Sequence, residues 1–165
     1  MKVRQLVLGT RQTIAGTVYG TIVVLASVTA GAAAYQNNLW KLALIATTSV
    51  LVLWLAHVYS HGLGESLALG RRLTTHEFRA IARRELAIPI AAVAPIAFIV
   101  LGAVDVFEER TALWLAVAVG VLTLTVQGAR YARLENLSRT ATIVSVSINL
   151  GLGLVIVALK AFVAH

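Results

Sequence analysis

Five continuous apolar runs constrain this chain more than any other feature: Thr13–Ala34, Leu42–Leu63, Leu86–Val106, Ala112–Gln127 and Ala141–Ala164. Each is close to the roughly 17–25 residues that an α-helix needs to cross the hydrocarbon of a bilayer. Lipid offers no partner to backbone amides, so only helices and closed barrels cross it. Barrel strands alternate apolar and polar residues over about ten positions, and these runs do not alternate. Composition agrees, with 59% hydrophobic and 13% charged residues, where a soluble domain carries about 25% charged. The expectation is an all-α integral membrane protein, a five-helix bundle forming a single transmembrane domain over residues 1–165. Ala112–Gln127 is its shortest span and Gly64–Glu85 its longest connection. The lack of cysteine excludes a disulfide scaffold.

The first run reads as a retained helix, because its apolar core exceeds the 7–15 residues usual for a cleaved signal. Orientation follows from lysine and arginine, which favour the cytoplasmic side. Lys2, Arg4 and Arg11 precede the first span; Arg71, Arg72, Arg79, Arg83 and Arg84 follow the second; Arg130, Arg133 and Arg139 follow the fourth. Eleven of the fourteen basic residues thus share one side, against Lys41, Arg110 and Lys160. This predicts a cytoplasmic N-terminus and an external C-terminus, with Asp105, Glu108 and Glu109 outside. Trp40 and Trp114 fall at the outer boundaries, where aromatic belts form. The net charge of +7 is therefore mainly a topology signal, with anionic lipids at the cytoplasmic face as its partner. The arginines are scattered over three juxtamembrane segments without an aromatic binding module, which argues against nucleic acid.

Within the long connection, Gly62, Gly64 and Gly70 are expected to loosen the chain. Thr74 and Glu77 have capping-box spacing. Phe78, Ile81 and Ala82 then share a face opposite Arg79 and Arg83. This reads either as an interfacial amphipathic helix or as the start of a long third span. Pro89 and Pro95 predict a kink there.

Polar groups inside a bilayer are costly and mark function. His57, His61 and Glu65 follow one another at i+4, on one helical stripe below Trp54. Tyr19, Gln127, Ser145 and Asn149 fall at a similar depth on three other spans, so an inner-leaflet polar layer is expected. Three readings compete. The layer is a vestibule for protons or cations, with histidines that change charge near neutral pH. Alternatively, His57, His61 and Glu65 bind a divalent metal such as zinc. In the third, the polar groups only fix helix packing through interhelical hydrogen bonds. Above Trp54 the same face is Val50 and Ala46, so it is dry.

Gly16 and Gly20 form GxxxG, Ser27 and Gly31 repeat the spacing, and Gly151 and Gly153 serve the last span. Such residues mark close packing within one chain or between chains, and a homo-oligomer would enclose a conduit. Lys160 reads as a snorkelling residue. Templates for soluble catalysis are missing: there is no H-E-x-x-H and no glycine-rich phosphate loop. A membrane enzyme with a His-bound metal would need further ligands, such as His76 and Glu77 from the connection. The stretches Gly16–Leu25 (GTVYGTIVVL) and Trp54–His61 (WLAHVYSH) resemble those of small polytopic bacterial membrane proteins of a type common in actinobacteria. That resemblance covers two spans and implies no activity. The leading expectation is a proton or cation channel or transporter of the plasma membrane. The alternatives are a structural or regulatory membrane subunit and a metal-binding membrane protein.

Overall fold

The computed structural model describes residues 11–35 and 38–163. Lys2, Arg4 and Ala164 lie outside the described residues, as do the side chains of Arg11 and Lys160. Among the described residues there are six helices and no strand: α1 (Arg11–Ala34), α2 (Leu39–Leu69), α3 (Thr75–Arg84), α4 (Ala87–Ala103), α5 (Glu109–Leu134) and α6 (Arg139–Val163). Four of these, α1, α2, α5 and α6, are long and apolar enough to cross a membrane. A fifth crossing is obtained when α3 and α4, bent by 40° at their junction, are taken together.

α1 is the central helix and packs against α2, α4, α5 and α6. Its Val24, Leu25 and Val28 are buried beside Leu42, Ala46 and Val50 of α2, Ile99 of α4, and Ala116 and Leu124 of α5. Its buried hydroxyls are satisfied by the preceding turn: Thr21 donates to the Thr17 carbonyl at 2.7 Å and Thr29 to that of Leu25 at 2.7 Å. The GxxxG glycines are consumed inside the chain. A Cβ on Gly20 would collide with the backbone of Ile88, and one on Gly16 would lie 3.0 Å from the Ala87 Cβ. Gly31 faces Leu42, and Gly153 faces Val121 and Leu124, whereas Gly151 meets nothing within 4 Å.

α4 runs the length of the bundle beside α2. At its start Glu85 meets His61, and near its end Gly102 packs on Leu39 and Ala112. His61 and Leu39 are 22 residues apart on α2, about 33 Å at the helical rise. Pro89 occupies the first turn, where no intrahelical donor is required. Pro95 is accommodated inside α4, and the sharp bend lies earlier, at Glu85–Leu86.

The connections differ from the sequence expectation because polar residues end an apolar run without ending a helix. α2 continues through Gly62 and Gly64 to Leu69, so the link to α3 is residues 70–74 rather than 64–85. Gly62 loosens nothing: it is buried, and a Cβ there would rest 3.4 Å from the Phe78 ring. The αL residue Gly70, φ 63°, ends the helix, its N–H donating to the Leu67 carbonyl. α3 is a separate amphipathic helix with both halves of the capping box formed between Thr74 and Glu77. The run Ala112–Gln127 belongs to a helix of 26 residues, so α4, at 17 residues, is the shortest of the helices that run the bundle's length.

Candidate functional site

A cavity of 580 Å³ opens at the end of the bundle where α1 begins and α2 passes His61. α1 contributes Ala15, Gly16 and Tyr19 to its wall. Opposite lie His57, His61 and Glu65 of α2, and the α3–α4 bend adds Arg84 and Glu85. The i+4 spacing puts the α2 residues on one stripe, and the close α1–α4 approach at Gly16 and Gly20 brings the bend against them.

The aromatic rings form a file. Tyr19 lies 4.7 Å from His57 between centroids, and His57 lies 6.0 Å from His61 in an edge-to-face arrangement. His57 Nδ1 is 3.3 Å from the Leu53 carbonyl, an acceptor only, so Nδ1 is the donor in that contact. His61 Nδ1 is 2.8 Å from Glu85 Oε1. Glu85 is buried, 7% exposed, while the His61 side chain remains 57% exposed. A buried carboxylate needs a partner, and His61 supplies it. Trp54 forms a strut at this level, its indole N–H donating to the Ala82 carbonyl at 3.3 Å.

Glu85 is the site residue that sequence reasoning missed. Standing after two arginines at the margin of an apolar run, it looks like a solvated interfacial charge. The available signal was an acid one residue before a proline-bearing apolar segment, where a bend can turn it inward.

The expected four-helix polar layer separates into two places. Tyr19, His57, His61 and Glu65 meet in the cavity, but Ser145 and Asn149 stand on α6 against α5. There Ser145 donates to the Gly128 carbonyl at 3.1 Å and Asn149 Nδ2 to the Ser145 carbonyl at 3.0 Å. Gly128 permits this contact, since a Cβ on it would lie 3.0 Å from the Ser145 carbonyl oxygen. Both polar residues line a separate groove of 640 Å³. Gln127 is buried on α5, and its Oε1 has no hydrogen-bond partner among the described residues. The two groups differ in the direction they take around their helix axes: one faces the α1–α2 cavity and the other the α5–α6 groove.

Among the described residues no group of three or more His, Cys, Asp or Glu side chains is arranged to hold a metal ion. Glu77, one of the further ligands the connection offers, is engaged by Arg71 and Thr74. Above the cavity Ala46, Val50, Leu25 and Ile99 are all buried, together with Thr21 and Thr29 of α1. Comparison with protein-family models, curated proteins and solved structures returns no match for this chain.

Proposed function

We propose that this chain is a multi-pass protein of the bacterial plasma membrane that moves protons or monovalent cations, with the His57–His61–Glu85 cluster as its cytoplasmic proton-exchange site. The observation that carries this reading is the file Tyr19, His57, His61 and Glu85 in one cavity, ending on a buried carboxylate. Histidine changes charge near neutral pH, and ionisable groups at membrane depth mark proton and ion pathways. His61 and Glu85 exchange a proton across their 2.8 Å contact, and His57 is the next ring in the file. With the eleven basic residues facing the cytoplasm, α4 is the fifth crossing and α3 lies at the interface. The interior beyond Trp54 is aliphatic, so a homo-oligomer encloses the remainder of the path.

Reconstitution into liposomes with a pH-sensitive dye tests this. Wild type should dissipate an imposed proton or potassium gradient faster than empty liposomes, and His57→Ala with His61→Ala should return the rate to background. No flux from wild type sinks the reading, and flux untouched by the double substitution removes the histidines from it. The second reading, a structural or regulatory membrane subunit, is favoured by α6, whose spanning window is only 6% buried. It predicts no flux and co-purification with a larger membrane protein.

A further inference from the structure

The cavity does not end at Tyr19. Ala15 and Tyr19 also line a second, apolar trough of 400 Å³, which follows Ile14, Val18 and Ile22 of α1 and is bounded by Tyr131 of α5. Ile14 and Ile22 are eight residues apart, so the trough extends about 12 Å along the helix axis. Polar chamber and apolar trough adjoin at Ala15 and Tyr19, and the trough runs along α1 from Ile14 past Tyr19 to Ile22. This is the shape of an amphiphile. We infer that each chain binds one zwitterionic phospholipid here, with its aminoalkyl phosphate headgroup in the chamber and an acyl chain along Ile14, Val18 and Ile22.

The charges select the headgroup. Among the described residues Glu85 is paired with His61, and the Arg84 guanidinium and the Glu65 carboxylate are the other two opposite charges lining the chamber. A phosphodiester pairs with Arg84 and a primary ammonium with Glu65, each by a charge-assisted hydrogen bond. A purely anionic headgroup would face Glu65 unpaired, and a purely cationic one would face Arg84. The trough rejects a soluble zwitterion, which would leave its apolar surface uncovered. This inference is independent of the transport reading, since lipid can occupy the mouth whether or not protons cross.

Native mass spectrometry of the delipidated protein in detergent tests it, using phosphatidylethanolamine, phosphatidylglycerol and glycerophosphoethanolamine as probes. One phosphatidylethanolamine per chain should bind at least tenfold more tightly than either of the others. Ala15→Phe, at an exposed position filling the shared wall, should lower that affinity at least tenfold without changing the thermal midpoint. Glu65→Lys should reverse the preference toward phosphatidylglycerol, a change of sign that misfolding cannot mimic. Equal binding of the two lipids, or an unchanged preference in Glu65→Lys, overturns the headgroup assignment. Tight binding of glycerophosphoethanolamine alone, or displacement of lipid by chain dimerisation, overturns the trough as an acyl site.

Discussion

At the residue scale, the glycines show how little of a packing partner is written beside a motif. Gly16 and Gly20 carry the GxxxG spacing that serves contacts within or between chains equally well. Here both are spent on α4. Gly20 sits on the Ile88 backbone, where any side chain forces the helices apart, while Gly151 faces open space. Gly20→Ala should therefore destabilise the fold by about 1–3 kcal/mol, the usual cost of overpacking. Gly151→Ala should stay within about 1 kcal/mol of wild type, on the stabilising side, because alanine is the better helix former. Reversible unfolding in mixed micelles measures both, and equal effects of the two substitutions would contradict the α1–α4 contact. The histidine stripe was legible because i+4 spacing alone puts His57, His61 and Glu65 on one face. Its partner Glu85 was not, since burial there depends on a bend between two helices. Ser145 and Asn149 face Gly128 of α5 instead of the histidines, because an apolar run says nothing of rotation about the helix axis.

At the element scale, α3 is held by a clip that the capping-box spacing anticipated and a partner that it did not. The Arg71 guanidinium meets both Glu77 oxygens, at 2.7 and 3.1 Å, and the Thr74 N–H donates to Oε2 at 2.7 Å. The Arg71 contact, followed by the two Thr74 hydrogen bonds, lowers the Glu77 carboxyl from its ordinary 4.5 to about 2 and raises Arg71. The sign follows from linkage: a depressed carboxyl favours the folded clip above its unfolded value and loses that contribution as pH falls through the folded one. The clip should thus be intact above about pH 4.5 and fade between there and about pH 2. Amide hydrogen exchange of α3, compared between wild type and Glu77→Gln, reads this directly. Wild type should be better protected at pH 6, and the two should converge toward pH 2. A difference that persists unchanged at low pH would assign the protection to something other than the carboxylate. Because both side chains of the contact are open to solvent, it should also weaken in high salt.

At the scale of the whole molecule, the question is how often the chain crosses. Hydropathy alone passes α1, α2, α5 and α6, and leaves α4 to be counted with α3. The proposed fifth crossing rests on α4, whose first turn adjoins the His61–Glu85 contact, whose Gly102 packs on Leu39, and which buries Ile88, Ala92 and Ile99 between them. Trp40 and Trp114 are both exposed at the Leu39 end, and Tyr59 and Tyr131 are exposed at the opposite one. The chain has no cysteine, so each single-cysteine variant reports one position cleanly. Lys41, Arg72, Asp105 and Arg139 are all exposed and mark the four connections. With five crossings and the basic side inward, Lys41→Cys and Asp105→Cys should react in intact cells with a membrane-impermeant maleimide. Arg72→Cys and Arg139→Cys should react only after permeabilisation. If α4 did not cross, Asp105→Cys would be protected together with Arg72→Cys, and Arg139→Cys would become accessible from outside. A full exchange of the two pairs would instead keep five crossings and reverse the orientation, moving the histidine cavity to the outer face of the membrane and making its proton exchange a response to external pH.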